Sequence, residues 1–430
     1  MNDTMAKKPN KTEEAQLVKN NGLITLNYKC LIVFACFGIL IFFEIKSNGS
    51  YFDEVLGLLS ILIVLYKWNK LYYNDLRAIM LLFLTIAIGL FSNLYYDLAY
   101  SWFSVGVDVL TQMKSLFCFF AIRYFLTERE KQLLINMLSP LGKLFLIASF
   151  IFAIYSQVFD TPYATFVRYG LKQFKFFFYH AHQYTSIAFL AFGAIQCSTN
   201  TTEKSKNFYK VIGLIAISLA LKSPALTFSL SYIFLSYYFQ HYKKVTLKII
   251  IPLAAAIIVA STYQINTYIL NEKAARRVFI DYSFVTANDC FPFGSGFATF
   301  GSAEAAKHYS KLYVKYKFYE YWGMGVGDAG MFLYDTYWPM ALGQFGYFGG
   351  AIFVSIYVNV FKTLNRSKMD YSKRALLYAL FIQFMVHALG APILACSQGL
   401  IAFMGLSLFT FPDPVREEMK WNTKLKFIIR

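Results

Sequence analysis

Apolar residues in this chain come in long unbroken runs rather than at the intervals of a half-polar helix or strand. From Cys30 to Phe411 the runs follow one another with only short polar breaks. A hydrocarbon core of about 30 Å needs roughly 20 apolar residues per helix. The pattern predicts spans at about 29–46, 52–68, 78–96, 105–126, 141–159, 183–198, 209–221, 225–239, 248–265, 335–361, 375–391 and 396–412, about 12 in all. Runs such as 78–90 do not alternate, which argues against a closed barrel. One break is ambiguous: Lys222-Ser223-Pro224 interrupts 209–239, so that stretch is either one kinked span or two short helices forming a hairpin.

Charge arbitrates, because positive residues are retained on the cytosolic side of short loops. With a hairpin, the inner segments carry Lys67, Lys70 and Arg77, then Arg123 to Lys143, Lys204 to Lys210, Lys243 to Lys248, and Lys362 to Arg374, while the short outer loops 97–104 and 392–395 carry no Lys or Arg. A single span would place the basic loops 240–248 and 362–374 outside. The expected organisation is therefore an all-α polytopic membrane protein. A basic cytosolic tail (1–28) precedes a single transmembrane domain (29–412) with one large extracytoplasmic loop (266–334), and a second basic cytosolic tail (413–430) follows.

Composition sharpens the class. With 57% hydrophobic and 15% charged residues and a mean hydropathy of +0.45, a soluble globule could not cover its surface, so the lipid bilayer is the first partner. The net charge of +17 is met by positive-inside loops, and nucleic acid is not expected as a partner, since that needs a basic face on a soluble fold. The six cysteines show no metal-ligand spacing, and no metal or cofactor is expected. Cys290 and Cys396, outside the other runs, are the only candidates for a disulfide.

The outer segments hold a cationic set where topology disfavours one: Arg168, Lys172, Lys175, Lys222, Lys273, Arg276, Arg277, Lys307, Lys311, Lys315 and Lys317. Solvated surface charge is one explanation. Handling of an anion is the other, and arginine's planar fork suits phosphate. Lys222, beside a proline at the tip of the paired helices, either snorkels to headgroups or touches a lipid-linked phosphate. Lys114, inside a span, must face protein or water. The stretch Phe291-Pro292-Phe293-Gly294-Ser295-Gly296-Phe297-Ala298-Thr299-Phe300-Gly301-Ser302 packs three glycines among aromatics, as a ligand loop or a tight turn would; it lacks the GK[ST] ending of a nucleotide loop. Tyr309, Tyr313, Tyr316, Tyr319, Tyr321 and Trp322 follow, then Asp328 and Asp335. Such aromatics form an interfacial belt or stack on sugar rings, and Asp335 is a helix cap or a general base. His180 and His182, two residues apart, make a poor metal pair, and His387 has no assignable partner.

Taken together, Ala275-Arg276-Arg277, PFGSGFATFGS, YSKLYVKY and DTYWPMALGQFGYFGG resemble the bacterial O-antigen polymerase and O-antigen ligase superfamily, above all the repeat-unit polymerases of capsule and exopolysaccharide clusters. The resemblance covers about 114–350. It implies a GT-C-like glycosyltransferase architecture in the bacterial cytoplasmic membrane and an undecaprenyl-pyrophosphate-linked oligosaccharide as substrate. It also implies metal-independent glycosyl transfer on the outer face, with a chain-length regulator as a further partner. On that basis Arg276, Arg277 and Asp335 are the candidate catalytic residues, and Lys222, Arg168, Lys172, Tyr309, Lys317 and Asp328 the candidate substrate contacts. Members often place an arginine after a serine at the helix-hairpin tip, where this chain has Lys222-Ser223. Ligases put a histidine where Asp335 stands, which favours polymerase over ligase. A flippase for the same lipid is the alternative from another class, and it should show internal repeats; the chain has none.

Overall fold

The computed structural model describes residues 27–46, 51–242, 247–328, 332–368 and 370–412, without the side chains of 247–250. The predicted tails lie outside the described residues, apart from residues 27 and 28. Each predicted apolar run falls on helix. In chain order these are α1 (Tyr28–Lys46), α2 (Phe52–Tyr66), α3 (Tyr73–Tyr96), α4 (Trp102–Phe125), α5 (Glu128–Val158), α6 (Ala181–Cys197), α7 (Glu203–Ser218), α8 (Ser223–His241), α9 (Leu247–Ala260) and α10 (Thr262–Tyr268). The long loop contributes α11 (Ala275–Asp289), α12 (Ala303–Lys307) and α13 (Lys311–Lys315), and α14 (Trp338–Arg366), α15 (Tyr371–His387) and α16 (Ser397–Leu408) close the fold. Five of them, α1, α3, α4, α5 and α14, are long and apolar enough to cross a membrane. The protein is an all-α membrane protein whose described sheet is one hairpin, β1 (Ala164–Arg168) against β2 (Leu171–Phe174).

Several boundaries differ from the expectation, each for a local reason. Helix α5 begins at Glu128 rather than near 141 and runs through Pro140. A reciprocal cap between Thr127 and Glu130 starts it early, satisfying two backbone donors that the first turn leaves open. The run at 248–265 divides into α9 and α10 at Ser261. Helix α14 starts at Trp338, so Asp335 stands outside it, in the loop.

The ambiguous break resolves into two helices. Ser218 Oγ lies 3.0 Å from Ser229 Oγ, whereas eleven residues of continuous helix would separate them by about 16 Å. The chain folds back sharply, with Leu221 in the left-handed region (φ 49°). Lys222 becomes the residue capping α8, and Pro224 occupies its first turn, where a missing N–H costs nothing.

Ion pairs between helices hold the interior. Asp75 of α3 accepts from Arg123 Nε at 2.6 Å, Tyr124 Oη at 2.5 Å and Thr363 Oγ1 at 2.6 Å. Lys131 of α5 donates to the carbonyls of Ser407 and Thr410 at 3.1 and 3.0 Å, closing the C-terminal end of α16 with a cation, where the helix dipole favours one.

The long loop is folded. Val278, Phe279, Phe300, Leu312, Tyr313, Phe318 and Met324 make a second apolar core under α11. Its glycine-rich stretch is a latch against α3 and α14. Ser295 and Gly296 donate backbone bonds to Gly343 and Gln344 at 3.0 and 2.9 Å, and the Asn93 amide brackets Phe297 through its N–H and its C=O, each at 2.8 Å. Gly294 (φ 77°) meets Gly346 (φ 64°) so closely that a Cβ on Gly294 would lie 2.3 Å from the Gly346 nitrogen. The tight-turn explanation of this stretch therefore accounts for its glycines.

Candidate functional site

The fold gathers residues from four separate segments around the α7–α8 tip. The hairpin docks on that tip, with Phe174 N donating to Leu219 O at 2.9 Å and Gln173 Nε2 to Ala220 O at 3.0 Å. This brings Arg168, at the end of β1, into electrostatic reach of Lys222. From the long loop, Arg276 in the first turn of α11 donates through Nη2 to Asp335 Oδ2 at 3.1 Å, and both also act on Lys222. Arg276 and Lys222 thus flank one carboxylate, with Arg168 in reach of Lys222, a surplus of positive charge that invites an anion.

Arg276 is held from several sides. Its guanidinium lies 4.3 Å from the centre of the Tyr268 ring, a cation–π geometry. Gly390, just past α15, packs against the guanidinium, and a Cβ there would make an ordinary contact with Nη1 at 3.5 Å. The buried Nε has no acceptor among the described residues, and neither does the Thr336 hydroxyl beside Asp335. A guanidinium fixed in place with a donor to spare can grip an oxyanion without reorganising.

Burial and the neighbouring Arg168 and Arg276 push the Lys222 ammonium down to about 8, against the weaker pull of Asp335. Burial lifts the Asp335 carboxyl above its ordinary value, although Arg276 and Lys222 oppose this. A more basic carboxylate beside held cations is suited to taking a proton from a hydroxyl.

The histidines were not legible as a group. His180 and His182 stack with ring centres 5.0 Å apart, and His182 lies 6.3 Å from His387. His387 is the last residue of α15, and it feels Lys222 and Arg276. Three imidazoles thus border the cationic cluster. Apolar spacing within one helix carries no sign of a partner on another.

Other candidates lie elsewhere. Arg277 pairs with Asp281 one turn along α11 at 2.8 Å, apart from the Arg276–Asp335 pair. Lys172 pairs with exposed Asp160 at 2.7 Å. Tyr309 donates to Met324 O at 3.1 Å and packs against the loop core. Lys317 lies near Glu320 at 3.8 Å, and Lys307 and Lys315 pair with Glu304 and Asp289 at 3.5 and 2.6 Å. Asp328 accepts from Gly325 N at 3.0 Å, closing a turn. All six cysteines are free thiols, correcting the disulfide expectation: Cys290 ends α11 beside Asp289 and Lys315, while Cys396 precedes α16 near Glu44 and Asp53. Lys114 is paired with Asp53 and Glu54 at 2.5 and 2.7 Å.

No family model matches the chain, and no curated protein or solved structure matches it.

Proposed function

We propose that this protein polymerises undecaprenyl-pyrophosphate-linked oligosaccharide repeat units by glycosyl transfer on the outer face of the bacterial cytoplasmic membrane. In this reading the chain crosses the bilayer twelve times with both termini cytosolic, and the α7–α8 tip and the 266–334 loop lie outside. The observation that carries it is the gathering of Lys222, Arg276 and Asp335 at the α7–α8 tip, with Arg168 in reach of Lys222.

A hydroxyl oxygen of the acceptor sugar attacks the anomeric carbon of the donor. The bond from that carbon to the pyrophosphate oxygen breaks, and the lipid pyrophosphate leaves with the electron pair. Asp335 receives the hydroxyl proton. Arg276, Lys222 and Arg168 meet the charge growing on the leaving group, the kind of preorganised stabilisation that removing one donor typically costs about 10²–10³-fold in rate.

Reconstitution of the full chain with lipid-linked repeat units, followed by product sizing, tests this. A ladder of lengths supports polymerisation. Transfer of a single block to another acceptor identifies a ligase, and no covalent product with net movement of lipid-linked sugar identifies a flippase. Orientation is read separately at Trp322, which is 81% exposed: a Trp322→Cys protein should react with an impermeant thiol reagent from outside intact cells.

A further inference from the structure

A second polar feature lies beside the cationic cluster and carries the opposite charge. A cavity of about 330 Å³ is lined by Glu44 of α1, Asp53 and Glu54 of α2, Lys114 of α4, Gln183 of α6 and Gln398 of α16. Three carboxylates face one ammonium. Its volume falls at the small end of the range for small-molecule sites, about 300–1,000 Å³.

Two side chains say what the cavity takes. Gln183 and Gln398 are only 7% and 8% exposed. Gln398 donates through Nε2 to Glu44 at 2.7 Å, and a carboxylate only accepts, so the amide orientation is settled. Gln183 accepts from His180 N at 2.9 Å, and a backbone N–H only donates, so this amide is settled too. The other ends, Gln183 Nε2 and Gln398 Oε1, have no hydrogen-bond partner among the described residues. The cavity is thus lined by one unused donor, one unused acceptor and an excess of carboxylate. Sugar hydroxyls both donate and accept, and Phe43 and Phe52 supply an apolar wall. A phosphate or a uronic acid would meet like charge.

The cavity adjoins the cluster. Gln183 is bound to His180, and Cys396, also in the lining, is in electrostatic reach of Asp335 as well as of Glu44 and Asp53. We propose that this cavity binds the terminal sugar of the acceptor glycan and selects an uncharged or amino-bearing sugar over an acidic one. The assignment as acceptor rests on the polymerase reading above; the sugar selectivity does not.

Cys396 reports on the site. The full chain in nanodiscs, without any lipid-linked donor, is treated at low salt with a cationic (trimethylammonioethyl) or an anionic (sulfonatoethyl) methanethiosulfonate, and modification at Cys396 is followed by peptide mass spectrometry. The cationic reagent should react at least tenfold faster. Cellobiose should slow the reaction, an aldobiuronic acid of the same size should not, and Gln398→Leu should weaken the protection by cellobiose. Equal rates for the two reagents, no protection by cellobiose, or equal protection by the acid would overturn the proposal. Protection in a protein that makes no ladder after reconstitution overturns the polymerase reading and leaves the sugar site standing; a ladder without protection overturns the sugar site alone.

Discussion

Lys222 offers a test in which one proton reports on the anion site. Its ammonium, ordinarily near 10.5, is pushed down to about 8 by burial and by Arg168 and Arg276. Only the charged form can grip pyrophosphate, whose ionisation is complete over the range of interest. Between pH 7 and pH 9 the charged fraction falls from about nine-tenths to about one-tenth, so kcat/KM should drop roughly tenfold, since it reports the free enzyme. A bound anion favours the ammonium, so the corresponding limb in kcat should lie at higher pH. Arginine stays charged throughout, so Lys222→Arg should abolish the limb between pH 7 and 9, and Lys222→Met should be slow and flat across it. The assay is initial-rate ladder formation by reconstituted protein in buffers of constant ionic strength. A wild-type profile flat from pH 7 to 9.5, or a limb unchanged in Lys222→Arg, would refute the reasoning.

The two adjacent arginines should separate cleanly. Arg276→Ala removes the group held on Asp335 and should cost about 10²–10³-fold in kcat, whereas Arg277→Ala breaks an exposed pair within one helix, worth about 0.5 kcal/mol or less, and should leave the rate within about threefold. Asp335 must be ionised to act as a base and its pKa is raised, so activity should fall as pH drops through a value above the ordinary carboxylate range; Asp335→Asn should be inactive at every pH while still binding donor in a filter assay. Asp75→Ala removes the carboxylate that Arg123, Tyr124 and Thr363 share, and scanning fluorimetry in detergent should show a lower melting midpoint, a loss on the order of 3 kcal/mol. Gly294→Ala puts a methyl group against the Gly346 backbone at a positive φ and should cost on the order of 3 kcal/mol, read as a lower melting midpoint and a loop open to protease.

Much of the scaffold was legible because lipid imposes a blunt requirement, a run of apolar residues, that a chain cannot disguise. The break at Lys222-Ser223-Pro224 was legible too, from a charge and a proline in an apolar stretch, and the fold-back seen between Ser218 and Ser229 agrees with it. Helix starts were less so: the reach of α5 back to Glu128 depends on the cap at Thr127, which hydropathy ignores. The site was legible in part. Arg276, Lys222 and Arg168 stood out as charges in segments predicted to lie outside, and Asp335 at the mouth of a predicted span, but nothing local distinguished Arg276 from Arg277, since only the facing of α11 sends one toward Asp335 and the other toward Asp281. The partners of Lys114 and the meeting of His182 with His387 join segments far apart in the chain, and no spacing within either segment encodes them.

Helix α16 has a consequence for the membrane itself. Its 12 residues rise about 18 Å, well short of a hydrocarbon thickness of about 30 Å. Irregular backbone at membrane depth survives only against protein or water, and here it has both: Leu394 O accepts from Ser115 Oγ at 2.6 Å, and 395–398 border the cavity. In the twelve-span proposal α16 is a crossing, so the insulating layer around it would be thinner than the bilayer and the membrane voltage would fall over a shorter path. A charge carried into the cavity would cross part of that voltage, so binding of an amino sugar there should respond to membrane potential and that of a neutral sugar should not.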